Sequence, residues 1–278
     1  MKKWFVSSIA LVLALTLAGC GSNTKNTGEN AGAAGGDAPK AVTKIVVGTG
    51  TQFPNVCFID ENGKLTGFDV ELVREIDKRL EDYEFDIQTM EFTNLLLSLE
   101  TKKIDLIAHE MEKNPEREQK YLFNKEPYAH WRNKIVVAKG NDSVQSLADL
   151  KGKKVLTTAT SAAATILENY NKENNNALNL VYQNGGANDS VAQVTTGRVE
   201  AFLAADFTLS LIDPKQELKT VGPALSEADI LFMFRKDDPD QQKLSDAVDE
   251  VIKELKADGT LAKLSSEWLG DDFTSEEK

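Results

Sequence analysis

Apolar residues in this chain fall into short blocks separated by polar turns, and two kinds of block alternate. Residues 44–49, Lys-Ile-Val-Val-Gly-Thr, read as a buried strand running into a glycine-containing loop that carries Phe53 and Pro54. Cys57, Phe58 and Ile59 follow, and Asp60-Glu61-Asn62-Gly63 is turn chemistry. Behind Asp69, taken as a helix cap, Val73, Ile76 and Leu80 recur at helical spacing. Residues 85–87 begin a strand, Thr93 opens a helix through Leu96 and Leu99, and 104–108 form another short apolar run. Strands are also predicted at 134–138, 155–157, 180–182, 199–204 and 230–234. Between them lie a helix from Thr160 to Tyr170 and one from Asp189 to Gly197. Leu244, Val248, Val251 and Leu255 make an amphipathic helix stopped at Asp258-Gly259, and Thr260 caps a last helix with Leu261, Leu264 and Trp268. Strands alternating with helices predict an α/β fold with mostly parallel sheets, and the restart of the pattern near Ser146 predicts a second lobe.

One stretch breaks this rhythm. After the apolar run 104–108 come His109, Glu110 and Glu112, and then Asn114-Pro115, a cap residue and a first-turn proline. Arg117 therefore falls in a first helical turn, where a cation opposes the helix dipole at a cost of about 0.3–1 kcal/mol. Glu116 and Glu118 can offset it. Locally, two readings stand: a solvated arginine between glutamates, or an arginine set at a strand-to-helix mouth to catch an anion.

The ends of the chain change the picture. Met1-Lys2-Lys3 precedes an apolar segment at 4–15, too short to span a membrane and laid out like a secretory signal. Leu17-Ala18-Gly19-Cys20 resembles a bacterial lipobox, which implies cleavage before Cys20 and lipid on that residue. Residues 21–40 are rich in Gly, Ala, Asn and Thr and read as a flexible tether. With Cys20 lipidated, Cys57 has no partner, so no disulfide forms, and it reads as a small buried hydrophobe. The net charge of −12 over 278 residues, without a basic stripe, argues against nucleic acid as a partner. No CxxC or HExxH motif occurs, so neither zinc nor any cofactor is expected.

The fragments IVVGTGTQFPNVCFIDENGKLTGFDVELVREIDKRL, KIDLIAHEMEKNPERE, SLADLKGKKV, GRVEA and KADGTLAKLSSEWLG occur in that order. Together they resemble the polar amino-acid-binding proteins of bacterial ABC importers (solute-binding protein family 3). AHEMEKNPERE and TSAAA are most similar to the subgroup that binds L-cystine and related sulfur amino acids. The resemblance implies a two-lobed periplasmic-binding-protein type II fold, with two crossing strands as hinge. Lobe one would be residues 41–128 and 232–278, and lobe two 129–231. It also implies a monomer, an amino acid trapped between the lobes, and ABC permease subunits as partners.

Position by position, the resemblance gives Arg117 the ligand α-carboxylate, a task that suits a bidentate guanidinium. Thr160, Ser161 and Ala162 match the helix start that also meets the carboxylate through backbone N–H groups. Phe53 and Phe92 match the aromatic pair enclosing the ligand side chain. This chain departs from the pattern at Gly50, where the family usually has Asp, at Glu110 and Glu112, where it has neutral residues, and at Ala205, where an Asp holds the ligand ammonium. Glu112 is the expected replacement, with Asp206 a second candidate and Glu110 beside it. Asn55, Asn188 and Asp189 are expected at the far end of a long ligand. His109 and His130 read as structural histidines. A rival class is an enzyme, a dehydratase or cell-wall hydrolase using Glu110 and Glu112 as acid and base. Another is a sensor lipoprotein.

Overall fold

The computed structural model describes residues 42–184 and 186–275. The expected signal segment, the Cys20 attachment site and the tether lie outside the described residues. In chain order the elements are β1 (Thr43–Thr49), β2 (Gln52–Phe53), β3 (Cys57–Ile59), β4 (Leu65–Thr66), α1 (Phe68–Arg79), β5 (Tyr83–Thr89), α2 (Leu95–Glu100), β6 (Leu106–Ile107), α3 (Pro115–Lys120) and β7 (Tyr121–Phe123). There follow β8 (Ala129–Ala138), β9 (Lys154–Thr158), α4 (Ala162–Glu173), β10 (Asn179–Gln183), α5 (Ala187–Thr195), β11 (Ala201–Ala205), α6 (Thr208–Ile212), β12 (Leu218–Ile230), β13 (Met233–Arg235), α7 (Pro239–Ala257) and α8 (Thr260–Leu269).

Among the described residues two five-stranded sheets form, ordered β5-β1-β6-β13-β7 and β10-β9-β11-β8-β12, with a small three-stranded sheet β2-β3-β4 beside the first. In each large sheet the first three strands are parallel, and the fourth, β13 or β8, runs against its neighbours. Apolar side chains from α1, α7 and α8 pack on one face of the first sheet, including Leu72, Ile76, Val248, Ile252 and Leu261. Cys57 is free and fully buried in this core. The second sheet has its own core, including Ile135, Val137, Val155 and Leu167.

The chain crosses between the sheets along β8 and β12, which pair antiparallel from Leu218↔Ala138 to Ile230↔Ala129. The apolar run 230–234, predicted as one strand, is divided: Ile230 ends β12 and Met233 begins β13. It cannot stay a single strand because it leaves one sheet and joins the other.

Helix caps also differ from the sequence reading. The N-caps of α1, α5 and α8 are Gly67, Gly186 and Gly259, so Asp69, Asp189 and Thr260 lie inside the first turns. Gly67 has φ 117° and lies so close to β3 that a Cβ would sit 2.4 Å from the Val56 carbonyl oxygen. Only glycine makes that turn, and it carries Asp69 inward to full burial.

Candidate functional site

A cavity of about 240 Å³ is bounded on one side by the segments after β1 and β6 and on the other by β8, the ends of β9 and β11 and the starts of α4 and α5. Phe53, Phe92, Glu110, Glu112, Arg117, Ser161 and Ala162 all line it.

Arg117 is positioned by its own helix start. Asn114 caps α3, its Oδ1 accepting from the Arg117 N–H at 2.9 Å, with Pro115 fixing the first turn. The side chain is 7% exposed. Its guanidinium donates from Nη1 to the Glu112 carbonyl at 2.8 Å and from Nη2 to the Thr160 carbonyl at 2.9 Å. It thus ties a segment beside the first sheet to one beside the second. A guanidinium has five N–H donors, so donors remain after these two bonds. Burial pulls the Arg117 pKa below its ordinary value, with Glu112 opposing that pull.

Thr160 contributes differently from the expectation. It is not part of the cavity wall, and its carbonyl serves Arg117. Its φ of 66° is unusual for a β-branched residue and lies in the region where active-site strain is stored. Ser161 is the N-cap of α4, its hydroxyl accepting from the Ala164 N–H at 3.0 Å. The first N–H groups of a helix have no partner within it, so Ala162 presents a donor end to the cavity.

Glu112 is half-buried. Its carboxylate accepts from Asn133 Nδ2 at 2.8 and 3.0 Å. Burial raises its pKa, while Asn133 and Arg117 pull it down. Glu110 has φ 48°, and its N–H donates to Asp69 Oδ2 at 2.6 Å. Its Oε1 is buried without a hydrogen-bond partner.

Asp206 is a correction. It does not line the cavity; its Oδ2 accepts from Arg132 Nε at 3.1 Å in a separate depression beside His130 and Asp229. Phe202 to Ala205 at the end of β11 line the cavity, and the wall stops one residue short of Asp206, which Arg132 holds instead. Asn55, Asn188 and Asp189 are likewise absent from the cavity wall; the polar residues Gln52, Glu91, Gln183, Asn184 and Ser190 line it instead. Asn188 and Asp189 miss because α5 starts at Gly186, which turns Ser190 inward.

His109, read from sequence as structural, lines the cavity with its ring 4.9 Å from Phe92 and 6.4 Å from Phe53. Burial pushes its pKa down to about 4, so it is neutral at pH 7. It also explains the departure at Gly50: a Cβ there would lie 2.6 Å from His109 Nε2. Trp131 and Asn133 were not anticipated. Their signal was an Asn on the buried face of a strand, since Trp131, Asn133 and Ile135 alternate inward along β8.

Two α/β sheets joined by a pair of crossing strands, with a cavity holding a buried arginine beside carboxylates and aromatic rings, define a two-lobed solute-binding protein of the type II fold. The chain belongs to the bacterial extracellular solute-binding proteins, family 3, whose model matches residues 45–271. It is 45% identical over 270 residues to the L-cystine-binding protein TcyK of Bacillus subtilis, covering 96% of this chain and 95% of that one. It is 44% identical over 232 residues to the L-cystine-binding protein TcyJ of the same organism, covering 83% and 85%. A solved Listeria monocytogenes structure, described provisionally as an L-cystine ABC transporter, superposes with TM-score 0.80 at 48% identity, covering 85% of this chain and all of the other. Among the described residues no helix is long and apolar enough to cross a membrane.

Proposed function

We propose that this chain captures L-cystine or a related sulfur amino acid in the cavity and delivers it to an ABC permease. The observation that carries this reading is Arg117, buried in the cavity wall with donors to spare and bonded to segments from both sides. A ligand α-carboxylate takes those donors as a charge-assisted pair. Glu112, within electrostatic reach of Arg117, takes the α-ammonium in place of the acid that Ala205 lacks. Phe53, Phe92 and His109 enclose the apolar and sulfur-bearing middle of the ligand. The polar far end, with Glu91 and Gln183, suits a second amino-acid head. The cleft closes by motion of lobe 129–231 against lobe 41–128 and 232–278 about the β8–β12 pair. The role is binding and not catalysis, because Glu110 and Glu112 share one wall and do not flank a bond from opposite sides. The protein works as a monomer, held to the outer face of the membrane by lipid on Cys20.

A thermal-shift screen of amino acids under non-reducing conditions tests the ligand. L-cystine at about 1,000 times its dissociation constant adds on the order of 4 kcal/mol of stability. If cystine gives no shift while glutamine or arginine does, the sulfur amino-acid reading is lost. Glu112→Gln should weaken cystine binding by about tenfold or more, as expected for loss of a hydrogen-bonded charge; unchanged affinity in titration calorimetry removes Glu112 from the ammonium site.

A further inference from the structure

Beneath the cavity wall lies a second carboxylate that the binding reading does not use. Asp69 is fully buried in the first turn of α1. Its Oδ2 receives the Glu110 N–H at 2.6 Å and the Tyr128 hydroxyl at 3.3 Å, while Oδ1 has no partner. Glu110 adopts its left-handed φ of 48° at this contact, and its own Oε1 is also buried without a partner. Two acids, each with a buried, orphaned oxygen, are thus joined through the Glu110 amide, and one of them lines the cavity.

Among the described residues the groups facing this pair carry no compensating charge. From β3 comes the Cys57 thiol, pushed far up by burial, and from the entry to β8 the Tyr128 phenol, likewise raised by burial. Both are neutral. His109, beside Glu110 in the chain, is neutral at pH 7. Glu112 adds negative charge near Glu110. Among the described residues Arg117 is the one cation lining the cavity, and it is bonded to the Glu112 and Thr160 carbonyls. Two carboxylates in such surroundings do not both ionise at neutral pH. The amide, the hydroxyl and the helix N-terminus all favour charge on Asp69. The proton therefore resides on Glu110. Burial, together with the charges of Asp69 and Glu112, raises Glu110 well above the usual carboxylate range, while burial raises Asp69 against the downward pull of the Glu110 amide and the Tyr128 hydroxyl.

We propose that Asp69 is a positioning residue that keeps a proton on Glu110 in the empty cavity, and that capture of the ligand ammonium expels that proton. This rests on the reading that the cavity takes a zwitterionic amino acid. The ligand ammonium seated at Glu112 brings positive charge within reach of Glu110, whose carboxyl gives its proton to bulk water and becomes a carboxylate; the Asp69 carboxylate is unchanged, and the ligand ammonium keeps all its protons. Binding then tightens as pH rises, by up to about tenfold per unit for one proton released.

Titration calorimetry with L-cystine at pH 7 in two buffers of different ionisation enthalpy tests this. Release approaching one proton per ligand is expected, with smaller release in Asp69→Asn and none in Glu110→Gln. A heat independent of buffer in the unaltered protein overturns the proposal. An Asp69→Asn variant that changes affinity but leaves the proton count and pH profile intact reduces Asp69 to a structural residue and overturns its assigned role. If cystine gives no heat in either buffer, the ligand reading fails and infrared spectroscopy of the ligand-free protein decides this one. A protonated-carboxyl stretch at neutral pH that is lost in Glu110→Gln supports the pair. Its absence in the unaltered protein overturns it, and that measurement needs no variant to fold.

Discussion

Arg117 is an unfavourable residue for the place where it stands, and three contacts explain how it stays there. Asn114 holds its backbone, and two carbonyls hold its guanidinium. Lysine has one nitrogen and cannot serve both carbonyls and a carboxylate in a fixed plane. Arg117→Lys should weaken amino-acid binding by about tenfold to a hundredfold, taking about 1.5–3 kcal/mol for a lost charged hydrogen bond. Titration calorimetry checks it. Asp69 makes a pH prediction of its own. It is raised to about 7 in the folded chain from an ordinary value of 3.8. As pH rises from about 4 to about 7 the unfolded chain surrenders this proton first, so the folded state loses stability across that window. Urea unfolding at stepped pH should show a smaller loss in Asp69→Asn than in the unaltered protein. Sequence alone made Asp69 a helix cap because it stands before an amphipathic run. Its burial was not legible there, since the cause is the approach of Gly67 to the Val56 carbonyl in the turn before β3.

At the scale of elements, helix starts build the site and glycine sets how closely they approach. The cap and proline of α3 were legible because N-terminal chemistry is local. The start of α5 was not, because Gly186 meets the opposite wall: a Cβ there would sit 2.9 Å from the Gln52 carbonyl oxygen. Gly186→Ala should therefore keep the cleft from closing fully. The expected result is severalfold weaker binding with faster dissociation, and an unchanged melting temperature for the ligand-free protein. Stopped-flow fluorescence and thermal unfolding check the two halves of that statement. The small residue at 186 and the neutral, flat ring of His109 opposite Gly50 follow one rule. Where two backbones meet across the cavity, as at Gly186 and Gln52, or a backbone and a ring meet within one wall, as at Gly50 and His109, no Cβ fits.

At the scale of the whole molecule, one buried acid holds both roots of the hinge. Asp249 on α7 is 3% exposed, and its Oδ1 accepts from the Lys125 N–H at 2.8 Å, the Glu126 N–H at 2.9 Å and Asn124 Nδ2 at 3.0 Å. Asn124 Oδ1 in turn accepts from the Phe232 N–H at 2.8 Å. The segments entering β8 and leaving β12 thus hang from one knot. Asp249→Ala leaves buried N–H groups unpaired and should cost about 2–5 kcal/mol, taking about 1–3 kcal/mol for each such group. Equilibrium urea unfolding measures it. A smaller loss with Asp249→Asn, which keeps an acceptor, separates the hydrogen bonds from packing.

By itself the sequence determined what depends on neighbours along the chain. The alternation of apolar periods set the order of strands and helices, Asn114 and Pro115 set the start of α3, and ordered fragments marked the family. Tertiary structure decided what depends on which segments meet. It turned Asp206 away to Arg132 and brought His109, Trp131 and Asn133 into the cavity wall. It also buried Asp69 behind Glu110. The physical reason is that period and capping are properties of a few consecutive residues. Burial, and with it the state of a titratable group, is set by contacts between residues far apart in the chain, such as Asp69 and Glu110, 41 positions apart.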